Sequence, residues 1–195
     1  MCDIARTFDP WVGTRYESEG IRGVRLLILG ESHHCDAGPE YPAFTTEIVR
    51  RLGIGQQKPF RFFTVTQRLV TGGRGPLPRA SREEFWERVA FYNYVQSFLP
   101  SSRRAPTDAM WTAAPEPFLR TLKELAPDAV LILGDRLRDN VASIPGEVEW
   151  RAVPHPASSK LRYADWQPVV QELLTTAGAR SVSSHYAMPD ESTTP

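Results

Sequence analysis

The sequence predicts an α/β protein: a three-layer α/β/α sandwich around a mostly parallel, four-stranded central sheet. Four short segments, at residues 24–29, 89–95, 128–134 and 148–153, are the predicted strands, and the first of them contains the continuous apolar run Leu26 to Leu29 that is typical of a strand covered on both faces. The segments between them are long enough for the crossover helices that parallel strands require. At 195 residues, the chain is long enough to bury a substantial core. We therefore expect one domain over residues 1–179 and a disordered tail, rich in Ser, Thr and Pro, over residues 180–195.

The helices and the loop between the first two strands are predicted from the residues at which they start and end. Thr at its start and Gly at its end mark a short helix at residues 45–53. Residues 54–80 hold many Pro and Gly residues, so we expect a long crossover loop there. Ser81 and Glu84 form a capping box, which predicts the start of the next helix.

Three more helices are predicted in the second half of the chain. A helix at residues 115–126 should bury one face, because its apolar residues recur every three or four positions. These residues are Phe118, Leu119, Leu122 and Leu125. Asp135 is predicted to cap a helix that runs to about residue 143, and the last helix should end at Gly178.

Composition excludes several classes of protein. No apolar run approaches the roughly 18 residues of a membrane span, and the first residues do not resemble a signal peptide, so a cytoplasmic protein without a membrane partner is expected. With only Cys2 and Cys35, no disulfide framework and no four-cysteine metal site can form within the chain. Neither the Gly-rich dinucleotide motif nor the P-loop motif is present.

The positive charge is concentrated in the middle of the chain. The net charge is zero, yet residues 50–104 carry 11 Arg and Lys against three Glu. Of the 23 basic residues, 20 are Arg, the side chain best suited to bidentate phosphate contacts. This asymmetry favours a polyanion partner, and a solvated Arg-rich surface without a partner is the alternative.

Functional groups stand at three predicted strand ends. Glu31 follows the first strand, Asn93 lies within the second, and His155 follows the fourth. Because parallel strands end at the same edge of a sheet, these side chains should converge on one rim, where ligands of open α/β sheets bind. A carboxylate can act as a base or stabilise a cation, an amide can pair with a nucleobase edge, and an imidazole can stabilise an oxyanion. Each residue also has an ordinary structural interpretation, as a cap, a backbone bridge or a turn residue.

A metal site is a weaker alternative. The pair His33 and His34, with Asp36 and Glu40, has ligand types that suit zinc or manganese. Adjacent residues of an extended chain point to opposite sides, however, and no H-x-x-x-H spacing exists. Phe44 could stack on a base or pack under the following helix.

Four motifs together resemble those of the uracil-DNA glycosylase superfamily, of which the chain looks like a divergent member. The resemblance rests on their order and their position at strand ends, from residue 24 to about 175. The motifs are Leu27-Ile28-Leu29-Gly30-Glu31-Ser32-His33-His34, Phe91-Tyr92-Asn93-Tyr94-Val95, Pro127-Asp128-Ala129-Val130-Leu131-Ile132-Leu133-Gly134 and His155-Pro156-Ala157-Ser158-Ser159.

The resemblance implies a role for each residue of these motifs. Glu31 would orient water or stabilise the sugar cation, Asn93 would read the base edge, and His155 would donate to the leaving base. Gly30, Ser32, His33 and Phe44 would contact the substrate, with Phe44 stacking on the base. Ser158 and Leu161 would approach the minor groove, with Leu161 as a wedge. The chain departs from the family where Ser32, His33 and His34 replace smaller residues and where Ala157 replaces Ser.

The function implied is hydrolysis of the N-glycosidic bond of a deaminated or damaged base in DNA, single- or double-stranded. We expect a monomer without cofactor or metal, which holds DNA through the Arg-rich residues 50–104. One alternative is an inactive family member that binds a nucleobase, nucleotide or nucleic acid. Another is a metal-dependent hydrolase that uses His33, His34 and Asp36.

Overall fold

The computed structural model describes residues 6–34, 39–55, 60–101 and 104–186, with the backbone alone for 182–186. It contains five strands and seven α-helices in those ranges, and a π-helical turn follows the first helix. In chain order these are β1 (Trp11–Val12), β2 (Leu26–His34), α1 (Phe44–Ile48), the π-helical turn (Val49–Gly55), α2 (Arg61–Thr71), α3 (Arg79–Trp86), β3 (Ala90–Leu99), α4 (Asp108–Ala113), α5 (Pro115–Leu125), β4 (Ala129–Leu133), α6 (Asp135–Asn140), β5 (Glu149–Val153) and α7 (Tyr163–Tyr186).

The sheet is mostly parallel and has the order β1-β3-β2-β4-β5. Strands β2 to β5 are parallel to one another, and they are the four strands that the sequence predicts. The prediction of four strands in total is wrong, because β1 adds a fifth strand, antiparallel to β3. The register sets Gly30 of β2 beside Asn93 of β3.

Helices cover both faces of the sheet, which makes the molecule an α/β sandwich. Alternate residues of β2 enter separate cores: Leu26 and Ile28 on one face, Leu27 and Leu29 on the other. The first core is closed by the π-helical turn, α2, α3 and α7. The second core is closed by α5 and α6, with Met110 and Trp111 of α4 packed against it.

The segment predicted as a long crossover loop contains a helix, α2. Its buried side chains include Phe63, Leu69 and Val70, and Gly72 in the left-handed conformation ends it. The predicted capping box is also wrong, because α3 starts after Pro78 and Ser81 lies inside it. The carbonyl of Ser81 accepts a hydrogen bond from Gln67 Nε2 at 2.9 Å, which joins α3 to α2. The helix predicted at residues 45–53 is present as α1 and the π-helical turn.

The helices predicted in the second half of the chain are present, but their caps, ends and buried faces differ from the prediction. In α5, Phe118 and Leu122 are buried, but Leu119 is 42% exposed, so the predicted apolar face is narrower. Gly134 rather than Asp135 occupies the cap position of α6. Helix α7 continues through Gly178 to Tyr186, so the first residues of the predicted tail are helical, and residues 187–195 lie outside the described ranges. Within these ranges, no helix combines the length and apolar character that crossing a membrane requires.

Candidate functional site

The carboxyl ends of β2, β3, β4 and β5 form one edge of the sheet, which we call the rim. Gly30 and Asn93 are in direct contact there. A Cβ atom placed on Gly30 would lie 2.1 Å from Oδ1 of Asn93, so the carboxamide occupies the space above the glycine. Only a residue without a side chain can stand at position 30 while Asn93 keeps this position.

Asn93 is buried, but its side-chain amide has no partner. The residue is 4% exposed, and its amide forms no hydrogen bond with any residue that the structure describes. Neither amide atom is sealed from solvent, so the carboxamide opens onto the rim. Buried amides normally satisfy their donors and acceptors, and one that does not is a candidate for ligand recognition. The alternative that Asn93 bridges neighbouring backbone is therefore not supported.

His155 stands on the same face of the sheet as Asn93. Its ring centroid lies 5.6 Å from that of Phe62, and Phe62 lies 5.8 Å from Phe91. Phe91 in turn borders the space above Gly30, beside Asn93. A path of aromatic side chains thus connects the imidazole with the carboxamide. Sequence analysis missed Phe62 because it placed this residue in a loop.

The protonation of His155 follows from its contacts. Its Nδ1 accepts a hydrogen bond from the backbone N–H of Ala157 at 3.1 Å, so in the neutral ring the proton lies on Nε2. Burial lowers the pKa of His155, and the positive charges of Arg136 and His34 lower it further, while Glu31 opposes them. A neutral imidazole that donates from Nε2 is therefore the form expected near pH 7.

Glu31 is held by an arginine that sequence analysis did not identify. Arg136 of α6 donates from Nε to Oε2 at 2.7 Å and from Nη2 to Oε1 at 2.5 Å. The side chain of Glu31 is 16% exposed and that of Arg136 is 50% exposed. The hydrogen bonds from Arg136 to Glu31 raise the pKa of the guanidinium, although burial opposes the shift. A signal was present, since Gly134-Asp135-Arg136 follows an apolar run just as Gly30-Glu31 follows the apolar run of β2.

Glu31 and Asn93 approach the rim from opposite faces. Successive residues of a strand alternate, so Glu31 follows Leu27 and Leu29 toward the layer of α6. Asn93 follows Phe91 toward the layer of α2. They flank the end of the sheet, where His155 interacts electrostatically with Glu31. Glu31 and Asn93 are thus near the same edge of the sheet but on opposite faces, and only Glu31 is shown to interact with His155.

Gly134 fixes the relation between β4 and His155. It has φ +130°, a conformation that side chains rarely adopt, and its N–H donates to the carbonyl of Val153 at 2.8 Å. A Cβ atom at this position would lie 3.8 Å from Cβ of His155. This turn therefore places the start of α6, which carries Arg136, beside the imidazole.

His33, predicted to contact substrate, is near the end of β2, but its side chain is buried among aromatic rings. Its Nε2 lies 2.9 Å from Oγ1 of Thr45, and its ring meets those of Phe8 and Phe44 edge-on. Burial, with a smaller contribution from His34, lowers the pKa of His33 to about 3. Phe44 packs in the same aromatic cluster, which favours its packing role over base stacking.

The remaining predicted contact residues have mainly structural partners. Ser32 is half-buried and lies opposite Val95 in the sheet. Ser158 builds the turn after His155: its N–H donates to the carbonyl of His155 at 2.7 Å. Leu161 is half-buried and packs against the core, so it does not project as a wedge.

The metal alternative lacks support in the described residues. His33 is buried and His34 is exposed, which places the two rings apart as the alternation predicts. Glu40 accepts a hydrogen bond from the N–H of Phe98 at 2.7 Å, and Asp36 lies outside the described residues. No group of three or more His, Cys, Asp or Glu in the described ranges could hold a metal ion.

Only part of the Arg-rich segment is available to a partner. Arg82 is buried and donates to the carbonyls of Ile54 and Leu77, and Arg88 pairs with Glu19 and Glu84. Lys58 and Arg103 lie outside the described residues. Six arginines of the segment are exposed and have no ion-pair partner among the described residues: Arg50, Arg51, Arg61, Arg74, Arg79 and Arg104.

A depression of about 440 Å³ lies elsewhere, along β5 and the end of α7. Its arginines have acidic partners: Arg180 pairs with Glu149, and Arg151 pairs with Glu149 and Glu172. None of the rim residues lines it, so this depression is separate from the rim. We base the site on the rim, because the unpartnered amide and the coupled ionisable groups lie there.

No protein-family model matches the chain, and no curated protein matches its sequence.

Proposed function

We propose that this chain is a cytoplasmic hydrolase, similar to uracil-DNA glycosylases, that cleaves the N-glycosidic bond of a deaminated or damaged base in DNA. One observation carries the proposal: the Asn93 carboxamide is buried, unpartnered and open to the rim. A carboxamide presents one donor and one acceptor side by side, which matches the imide edge of an oxidised or deaminated base. The base would be extruded from the stack to reach it.

The ionisable groups of the rim suit the charges of this reaction. As the bond between base and sugar breaks, the sugar becomes positive and the base negative. Glu31 can stabilise the sugar cation, and Nε2–H of His155 can donate a hydrogen bond to the base anion. Water then adds its oxygen to the sugar carbon, and its proton completes the balance on the departing base. We further propose Phe62, between His155 and Phe91, as the surface against which the base packs, in place of Phe44.

The DNA contact is assigned to the exposed arginines of residues 50–104. Guanidinium groups that lack an acidic partner can bind phosphates at no cost of breaking an ion pair. Arg61 is the best placed of them, because it precedes Phe62 in α2.

The experiment is a base-release assay on a panel of oligonucleotides that contain uracil, hypoxanthine or no modified base. Wild type should release one modified base and leave the unmodified oligonucleotide intact. Asn93→Asp replaces the amide donor with an acceptor of the same shape, so it should change which base is released or abolish release. Absence of release from every substrate by the folded protein would refute the proposal.

A second candidate function is favoured by the Glu31–Arg136 pair. Both carboxylate oxygens of Glu31 are occupied by guanidinium donors, which leaves less freedom to orient water. A protein that binds a base or nucleic acid through Asn93 without turnover would keep this arrangement. Binding of a uracil-containing oligonucleotide that is unaffected by Glu31→Gln, with no base release, would establish this function in place of hydrolysis.

A further inference from the structure

Strand β5 is one edge of the sheet, and the N–H groups on its outer side are unpaired. In the described ranges it pairs with β4 alone. The N–H of Glu149 donates to the carbonyl of Asp128 at 3.1 Å, so the backbone of Glu149 faces β4. Trp150 and Ala152 direct their N–H and C=O groups the other way, because the direction alternates along a strand. No residue that the structure describes accepts a hydrogen bond from either N–H, so β5 offers free donors to another strand.

The exposure of β5 makes this edge suitable for strand addition. Trp150 is 42% exposed, and β5 lies along the depression of about 440 Å³ described above. Edge strands that avoid association are usually very short or carry Pro or Lys. The opposite edge, β1, has only two residues, whereas β5 has five and contains neither Pro nor Lys. Of the two edges, β5 is therefore the one that can take up a further strand.

Arg151 is the residue of β5 that could oppose such an addition, but its guanidinium is held loosely. It lies 3.7 Å from the carboxylate of Glu149 and 3.6 Å from that of Glu172, both beyond ordinary hydrogen-bond length. Its Nη1 donates to the carbonyl of Trp150 at 2.9 Å, on the outer side of the strand. Arg151 thus covers an edge carbonyl in the single chain. It can exchange these contacts for a closer carboxylate when a second strand pairs with β5.

The charges of β5 are complementary to those of a second β5 strand. If two copies pair antiparallel with Trp150 opposite itself, Arg151 of each lies opposite Glu149 of the other. Both charges are on the same face of the sheet, because the two residues are two positions apart. A register centred on Arg151 would instead set two like charges opposite each other, which destabilises a sheet. The charges therefore favour the register centred on Trp150, in which the two Trp150 residues exchange backbone hydrogen bonds.

We propose that β5 pairs with β5 of a second copy of this chain, antiparallel and centred on Trp150, to form a two-fold dimer with one continuous sheet. This dimer replaces the expected monomer, and it does not rest on the function proposed above. The contact is closed, because each copy uses its β5 edge and leaves only the short β1 edge outside. Antiparallel strands end on opposite sides, so the two rims point in opposite directions and both stay open.

The first test is sedimentation of the full chain over a series of protein concentrations. Wild type should rise toward twice the 22.0 kDa of one chain. Ala152→Pro removes an outward N–H, a change that an edge strand tolerates, and should raise the dimer dissociation constant about 10-fold or more. Ala152→Ser keeps the N–H and should associate as wild type does. Arg151→Glu sets like charges opposite each other and should also dissociate the dimer, whereas Arg74→Glu, exposed elsewhere, should not. Circular dichroism checks that each variant is folded.

A cross-linking test determines the register, in a chain whose Cys2 and Cys35 are changed to Ser. Trp150→Cys should form a disulfide between copies under oxidised glutathione, because paired residues of antiparallel strands have Cα atoms about 5.5 Å apart. Ala152→Cys, which does not meet itself in this register, should not.

Three results would contradict the proposal. Wild type that stays monomeric at every concentration would overturn it and leave the edge to a strand of another protein. A dimer that Ala152→Pro and Arg151→Glu both leave intact would show that the copies meet elsewhere. Cross-linking of Ala152→Cys but not of Trp150→Cys would refute the register on which the charge argument depends.

Discussion

Replacing Arg136 by Gln should destabilise the protein and also change the titration of His155. The substitution removes both guanidinium hydrogen bonds to Glu31 and leaves that carboxylate, 16% exposed, without its charged partner. Hydrogen bonds to charged groups contribute about 1.5–3 kcal/mol when buried, whereas fully exposed ion pairs contribute roughly 0.2–1 kcal/mol. Since Arg136 is half exposed, we expect a loss of about 1–2 kcal/mol in the free energy of unfolding, between these limits.

The measurement is chemical denaturation followed by fluorescence, with thermal unfolding as a second readout. A chain of this size should lose about 2–4 °C in Tm per kcal/mol. Arg138→Gln is the matched control, because Arg138 lies on the same helix but pairs with the exposed Asp135 and Asp139. Because this arginine is fully exposed, its replacement should leave the free energy of unfolding nearly unchanged.

The pKa of His155 tests the direction of each electrostatic effect at the rim, which a stability measurement cannot do. Arg136 lowers the pKa of His155 and Glu31 raises it. Arg136→Gln should therefore raise the pKa of His155 above its wild-type value, and Glu31→Gln should lower it, as measured by NMR of the imidazole. If the pKa moved the same way in both variants, or if Arg136→Gln were no less stable than Arg138→Gln, the assigned arrangement of the rim would be refuted.

Three further predictions concern single side chains. Gly30→Ala should displace the Asn93 carboxamide, cost about 1–3 kcal/mol in stability and reduce base release, whereas Gly146→Ala, with open space around it, should do neither. His155→Ala should slow base release by roughly 10²-fold or more with an unchanged circular dichroism spectrum, and wild-type turnover would show that its role is wrong. Burial lowers the pKa of His33 to about 3, so near pH 5 this residue is neutral in the folded protein but protonated in the unfolded chain. Stability should therefore be complete above about pH 6.5 and fall on acidification toward pH 3, by up to about 1.4 kcal/mol per pH unit. Denaturation midpoints at pH 7 and pH 5 should differ less in His33→Asn, and an equal difference would contradict this account.

The strands were predictable because their signal is local. Strands β2, β3 and β4 contain apolar runs of the kind that strands buried on both faces show, whereas β5 includes Glu149 and Arg151. Strand β1 has only two residues, Trp11 and Val12, so no period can reveal it. Helix α2 was hidden by the Pro and Gly residues on either side of it, although Phe63, Thr66 and Val70 repeat at the helical spacing within it.

The site was predictable to the extent that it follows from strand ends. The positions of Glu31 and Asn93 follow from the apolar runs that contain or precede them, and their alternation in the strands explains why they use opposite faces. The partners of these residues depend on segments distant in sequence. Arg136 reaches Glu31 across 105 positions, and the burial of His33 is set by Phe8 and Phe44, which no local pattern relates to it.

Gly134 carries no functional group, yet substitutions there should be among the least tolerated in the chain. Any larger residue would have to adopt a disfavoured backbone conformation at a turn whose neighbour is His155. Relief of that strain would move the guanidinium of Arg136 and the imidazole of His155 together. A single substitution would therefore disturb both the partner of Glu31 and the imidazole. In saturation mutagenesis scored for activity, substitutions of Gly134 should therefore reduce activity as much as substitutions of Glu31 or His155 do, and more than substitutions in surface turns.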